Sequence, residues 1–146
     1  MKHRSILLVE DNQDDIELTL MAFEHARITN PVVVARDGVE ALDYLFGTGK
    51  HAGRDATDLP LVILLDLKLP KIDGLEVLEK IREDERTRYT PVVALTTSSE
   101  PRDRVRAGSL HVNSYVRKPV DFDTFVEVAR QLGLYWTVLN EPLPHE

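Results

Sequence analysis

Pro60-Leu61-Val62-Ile63-Leu64-Leu65-Asp66 is the stretch that decides the fold. An unbroken apolar run, Leu61 to Leu65, stands between a proline and an aspartate. It is too short for a buried helix and lacks the alternation of a half-exposed strand. It reads as a strand covered on both faces. Working outward, similar runs recur at Ser5 to Val9, Pro31 to Ala35, Pro91 to Leu95 and, more briefly, Ser114 to Val116. Helical patterns lie between them. Asn12 can cap a helix on which Ile16, Leu20 and Phe23 share one face. Val39, Leu42 and Phe46 mark a second helix. After a loop punctuated by Pro70 and Gly74, Leu75, Leu78 and Ile81 mark a third, which ends in the charged run Arg82 to Arg88. Pro101 suits the first turn of a fourth, whose apolar pattern is thin. Asp121 can cap the last, with Phe125, Ala129 and Leu132 on one stripe. Five strands alternating with five helices predict an α/β fold. The expected form is a doubly wound (βα)5 sandwich, a five-stranded parallel sheet with helices on both faces. The irregular stretch Gly47 to Leu59 is expected as a surface loop.

The 146 residues suit one domain with a sizeable core, expected over 1–146 with an apolar C-terminal extension from about 133. There are no cysteines, which excludes disulfides, thiolate metal sites and cysteine nucleophiles. The short run Ile6 to Val9 meets Glu10 and Asp11 at once, too soon for a signal peptide or a membrane span. A cytoplasmic protein is expected, without a membrane role. The net charge of −7, with no basic run, argues against nucleic-acid binding. The five histidines (His3, His25, His51, His111 and His145) lack ligand spacing. Gly47-Thr48-Gly49-Lys50 is no phosphate loop, because Tyr44 stands where the first glycine would be needed.

In open α/β sheets, ligands gather at the carboxyl ends of the strands. Here those ends carry Glu10-Asp11, Asp66, Thr96-Thr97 and Lys118-Pro119. Carboxylates crowded into one crevice repel one another, and a hard divalent cation relieves them. Asp11 and Asp66 are the natural direct ligands of Mg²⁺. Glu10 is longer and can act through a water, and the Lys68 backbone carbonyl can complete the protein share. A carboxylate beside Mg²⁺ can attack phosphorus to give an aspartyl phosphate, chemistry that needs alignment and charge neutralisation. Lys118 would supply a point charge to one phosphoryl oxygen and the Thr96 hydroxyl a hydrogen bond to another. The backbone N–H groups after Asp66, at Leu67, and at Thr97 would hold the rest.

These residues sit within longer motifs: Leu7-Leu8-Val9-Glu10-Asp11-Asn12, Ile63-Leu64-Leu65-Asp66-Leu67-Lys68-Leu69-Pro70, Asp73-Gly74 and Tyr115-Val116-Arg117-Lys118-Pro119. Taken in order and at this spacing, they resemble the receiver domain of two-component response regulators over nearly the whole chain. The resemblance implies a flavodoxin-like strand order, 2-1-3-4-5. It makes Asp66 the phosphoacceptor and Glu10 and Asp11 the acidic pair that holds Mg²⁺, for which Mn²⁺ can substitute. It makes Thr96 and Tyr115 the coupled switch and Lys118 the lysine that senses the phosphoryl group. Glu10 stands where many members have Asp. Asn113 to Phe122, followed by Leu134-Tyr135-Trp136-Thr137-Val138-Leu139-Asn140-Glu141-Pro142, is similar to the small response regulators paired with bacterial and cyanobacterial phytochromes. That finer resemblance implies a light-regulated sensor histidine kinase as phosphodonor. Trp136 and Leu139 extend the stripe of Phe125, Ala129 and Leu132 if the helix passes Gly133, while Phe122, Tyr135 and Val138 are expected to point away from the core. Such surplus apolar residues, with the resemblance, imply a homodimer through the strand 4/5 and C-terminal helix region, the alternative being a tail folded back over its own domain.

Each residue has a plainer reading. Thr96 can merely satisfy a turn, Lys118 can be a surface lysine and Tyr115 can be core packing. Two rival classes stand beside the receiver. A Mg²⁺-dependent phosphatase of the haloacid dehalogenase type also uses a strand-end Asp, but needs a second Asp two residues on, where this chain has Lys68. A scaffold with a degenerate pocket is opposed by the full set of functional groups. A phosphate sink without direct output also remains. No residues are left over for an output domain, so any message is expected to pass through protein contacts.

Overall fold

The computed structural model describes residues 4–96, 108–118 and 121–140, with side chains in the last segment described to 131. The strands are β1 (Ile6–Val9), β2 (Val32–Ala35), β3 (Val62–Asp66), β4 (Val92–Thr96) and β5 (Ser114–Arg117). The described α-helices are α1 (Gln13–His25), α2 (Gly38–Phe46), α3 (Gly74–Glu83) and the C-terminal α4 (Phe122–Asn140). All strand pairs are parallel, in the expected order β2-β1-β3-β4-β5. The expected helix beginning at Pro101 falls outside the described residues.

The unbroken apolar runs are explained by burial on both sides. Successive strand residues point to opposite faces. Ile6, Leu8, Val62, Leu64, Val93 and Leu95 pack with Ile16, Phe23, Phe125 and Ala129 on the α1 and α4 face. Leu7, Val9, Ile63, Leu65, Val92 and Ala94 pack with Ala41, Leu45, Leu75, Leu78 and Ile81 on the α2 and α3 face.

Two helical stripes differ in part from expectation. On α1, Ile16 and Phe23 are buried as expected, but Leu20 is 38% exposed, and Thr19 and Ala22 join the buried face. On α2, Val39 is exposed and Gly38, Ala41, Tyr44 and Leu45 are buried. In both, small or hydroxyl residues share the buried face, and on α2 Gly38 allows close approach of Ile72 and Val77. Periodicity read from large apolar residues alone overlooks such positions. Phe122, expected to point away from the core, packs against it, with its ring 5.5 Å from that of His25.

Caps set the helix starts. Asn12 accepts from the Asp15 N–H at 3.0 Å, Asp37 from the Glu40 N–H at 2.8 Å and Asp121 from the Thr124 N–H at 2.7 Å. The stretch 47–59 is less irregular than expected. Gly47 ends α2 in the left-handed region at φ 67°, and Gly49–His51 forms a 3₁₀ turn. Arg54 then folds back, donating to the Tyr44 carbonyl at 2.7 Å with its guanidinium 3.8 Å over the Tyr44 ring. The backbone of α4 continues as helix through Gly133. The expected apolar extension from about 133, with the side chains of Leu132, Tyr135, Trp136, Val138 and Leu139, lies outside the described side chains.

Candidate functional site

Parallel register assembles the site. β1 and β3 are hydrogen-bonded neighbours with Val9 opposite Leu65, so Glu10 and Asp11 emerge beside Asp66. β4 lies on the other side of β3, with Leu95 opposite Asp66, so Thr96 follows at the same edge. The Lys118 N–H donates to the Thr96 carbonyl at 2.8 Å and carries the β5 line one residue further. From there the lysine side chain reaches back across β4 to the acidic group.

The charges are tightly coupled. Lys118 Nζ lies 2.9 Å from Asp66 Oδ2, 2.7 Å from Glu10 Oε1 and 2.9 Å from Asp15 Oδ2. Asp66 Oδ1 accepts from the Lys68 N–H at 2.9 Å, and Glu10 Oε2 from the Asn12 N–H at 3.2 Å. Glu10 and Asp66 are buried, whereas Asp11 is exposed. Burial pushes the Glu10 carboxyl up to about 7, with Lys118 pulling it down and Asp66 pushing it up again. Burial works to lower Lys118, but the carboxylates of Glu10, Asp66 and Asp15 more than reverse this and hold its ammonium above the ordinary lysine range.

Carboxylate oxygens of Glu10, Asp11 and Asp66 all lie within 4.8 Å of one another. Glu10 Oε1 is buried and has no hydrogen-bond partner. It is ion-paired with the Lys118 ammonium at 2.7 Å. A buried carboxylate oxygen beside two further carboxylates is a hard-oxygen donor set, and it fits a divalent cation of the Mg²⁺ or Mn²⁺ kind.

The structure therefore brings together Glu10, Asp11, Asp66 and Lys118, as expected. Thr96 is buried at the end of β4. Tyr115 is half-buried opposite Ala94 in the β4–β5 register, against the α2 and α3 core. One expectation is corrected. The Leu67 N–H donates to the Leu95 carbonyl at 2.9 Å, because the β3–β4 ladder runs one residue past the strand end. The N–H turned to the acceptor is that of Lys68. Thr97 lies outside the described residues. Asp15 was missed. Asp14-Asp15 in the first turn of a helix reads as ordinary complementation of the helix dipole, so the sequence offered no separate signal for it.

A second constraint comes from Gly74, the first residue of α3. Its N–H donates to the Leu67 carbonyl at 3.1 Å. A Cβ there would sit 2.3 Å from the Asp66 carbonyl oxygen and 2.5 Å from Leu67 Cα. The helix start is thus pressed onto the chain that carries Asp66.

A five-stranded sheet of order 2-1-3-4-5 with an acidic cluster and a lysine at its carboxyl edge defines a receiver-type α/β protein. Residues 6–130 match the response regulator receiver domain, and the chain belongs to that family. Over 135 residues it is 47% identical to the probable methanogenesis regulatory protein FilR2 of Methanothrix harundinacea, covering 92% of this chain and 84% of that protein. The bacteriophytochrome response regulator RtBRR is similar at 51% identity and TM-score 0.79, covering 97% of this chain and 85% of that one. The phosphorylated cyanobacterial phytochrome response regulator RcpA is similar at 38% and TM-score 0.81, covering 98% and 99%. The Mn²⁺-bound form of the response regulator Rcp1 is similar at 33% and TM-score 0.80, covering 97% and 99%. The likeness to phytochrome-associated response regulators expected from the tail is borne out. Among the described residues, no helix is long and apolar enough to cross a membrane.

Proposed function

We propose that this chain is a phosphoacceptor of a two-component relay, a single cytoplasmic receiver domain that takes a phosphoryl group on Asp66 from a sensor histidine kinase of the phytochrome type. One observation carries the reading: Lys118 Nζ stands 2.9 Å from Asp66 Oδ2 beside a cluster of three carboxylates whose oxygens lie within 4.8 Å of one another. Glu10, Asp11, Asp66 and the Lys68 carbonyl would hold Mg²⁺, or Mn²⁺ in its place. The cation would neutralise charge that builds on the phosphoryl oxygens.

The chain's own residues do the rest. An Asp66 carboxylate oxygen forms a bond to phosphorus as the bond from phosphorus to the donor's leaving atom breaks, and the donor departs with that electron pair. Lys118 pairs with a phosphoryl oxygen, and the Thr96 hydroxyl donates to another. The Thr97 N–H would hold a third. Movement of Thr96 toward the phosphoryl group leaves room for Tyr115 to turn inward, which biases a two-state surface around β4 and β5. A homodimer through that surface and α4 is the expected context.

Incubation with acetyl phosphate and Mg²⁺, read by intact-protein mass spectrometry, tests the assignment. A receiver gains one phosphoryl group, which Asp66→Asn abolishes because an amide is not a competent nucleophile. Continuous turnover would instead show a phosphatase, which Lys68 two residues past Asp66 disfavours. Labelling of Asp66→Asn on aspartate would remove Asp66 from the role.

A further inference from the structure

Three carboxylates share the Lys118 ammonium, and they are not equivalent. Glu10 and Asp66 are within the group whose oxygens lie inside 4.8 Å of one another, and Asp15 is not. Asp15 comes from the first turn of α1 and reaches Lys118 from the solvent side, 30% exposed against 1% for Glu10 and 6% for Asp66. Its backbone is held at both ends: its N–H donates to the Asn12 cap at 3.0 Å, and its carbonyl accepts from the Thr19 hydroxyl at 2.7 Å. Asn12 caps the helix and Thr19 lies one turn past Asp15, so the helix fixes the backbone that carries the Asp15 carboxylate.

We propose that Asp15 is a positioning residue, the constant partner that tethers Lys118 through phosphoryl transfer. This rests on the reading of Asp66 as phosphoacceptor. Once the new bond to phosphorus forms, Asp66 is an acyl phosphate and no longer a free carboxylate anion, so Lys118 exchanges it for a phosphoryl oxygen. Glu10 is committed to the cation cluster. Asp15 alone takes no part in either change. A lysine side chain with four rotatable bonds loses orientation without such a partner. The phosphoryl oxygen would then meet a mobile charge where it now meets an aimed one.

The sign of the effect separates this role from simple electrostatics. Asp15 is an anion near the entry of an anionic donor, so as a mere charge it would slow labelling, and its removal would speed it. As a tether, its removal slows labelling. The test uses the full chain with acetyl phosphate and saturating Mg²⁺, comparing wild type, Asp15→Asn, Asp15→Ala, Asp15→Glu and Asp14→Asn. Asp14 is exposed, lies in the same first turn and supplies an equal change of charge. Asp15→Asn and Asp15→Ala are expected to label Asp66 roughly two- to fivefold more slowly, the scale of one partly exposed ion pair acting on a rate. Asp15→Glu should recover most of the rate. Asp14→Asn should match wild type, and Mg²⁺ affinity should be unchanged throughout. The Lys118 ammonium resonance, followed by ¹⁵N NMR, should show slow hydrogen exchange in wild type and fast exchange in Asp15→Asn. A wild-type or faster rate in Asp15→Asn overturns the tether, as does equal slowing in Asp14→Asn or slowing that follows lost Mg²⁺ affinity. If unsubstituted protein takes no phosphoryl group on Asp66, the phosphoacceptor reading falls first and the tether falls with it.

Discussion

Gly74→Ala should damage both the fold and the acceptor. In an open helix this change would stabilise by up to about 1 kcal/mol through helix propensity, and by less at a first residue. Here the added Cβ would lie 2.3 Å from the Asp66 carbonyl oxygen, 2.5 Å from Leu67 Cα and 2.9 Å from the Leu67 carbonyl carbon. All three are backbone atoms of the chain leaving β3, so no side-chain rotation relieves the clash. Restoring ordinary contact at about 3.4 Å requires the loop and the start of α3 to part by about 1 Å. That movement strains the hydrogen bond from the Gly74 N–H to the Leu67 carbonyl. Overpacking of this kind costs about 1–3 kcal/mol, and a weakened hydrogen bond adds about 1 kcal/mol. The net expectation is destabilisation by about 2 kcal/mol, or a Tm lower by about 4–8 °C for a chain of this length. A misplacement of about 1 Å at a reacting group can cost on the order of 100-fold in rate, so labelling of Asp66 by acetyl phosphate should fall more than stability does. Urea unfolding monitored by circular dichroism, with phosphoryl gain followed by mass spectrometry, measures both. A variant as stable as wild type that labels at the wild-type rate would refute the steric argument.

Asp37→Ala removes the α2 cap and should cost about 1 kcal/mol in urea unfolding. Burial works to raise the Asp37 carboxyl, but the Glu40 N–H and the Lys71 ammonium, at 3.3 Å, outweigh it and hold it below the usual carboxylate range. A depressed folded pKa means that its stabilisation is complete above the ordinary aspartate range and fades as pH falls through the folded value. The stability gap between wild type and Asp37→Ala should therefore narrow in acid, and a gap that widens there would contradict the sign. Arg82→Met should cost about 2–4 kcal/mol, since the Arg82 guanidinium donates to the carbonyls of Leu110, Arg88, Thr90 and His111 and the shortened set leaves them without that donor. Equilibrium unfolding checks it. Mg²⁺ at about 100 times its Kd should raise stability by about 2.7 kcal/mol, and chelation or Asp11→Asn should remove most of that gain. On α1, Phe23→Ala should cost about 3–5 kcal/mol, whereas Leu20→Lys should stay within about 0.5 kcal/mol. A cost for Leu20→Lys as large as that for Phe23→Ala would place both on the buried face, as the apolar pattern alone had put them.

The strands and the identity of most site residues were legible in the sequence because a parallel sheet buried on both faces demands unbroken apolar runs. Each run stops at the carboxyl edge of the sheet, and the residues at or just past those stops are Glu10, Asp66, Thr96 and Lys118. Caps at Asn12 and Asp121 were legible for the same local reason, since a helix start leaves nearby N–H groups to satisfy. Tertiary structure alone decided the rest. Leu20 and Val39 are exposed while Thr19, Gly38 and Ala41 are buried, and Gly38 is pressed against Ile72 and Val77, a closeness that is a property of two elements together. The Leu67 N–H is taken by the Leu95 carbonyl, which depends on register with a strand almost thirty residues away. Asp15 looks like any acid in a first turn until Lys118, from the far side of β4, is folded to 2.9 Å from it. Local periodicity records which face a residue prefers. Only the packed sheet fixes which charges are neighbours, because that is set by strand order and by the reach of side chains across it.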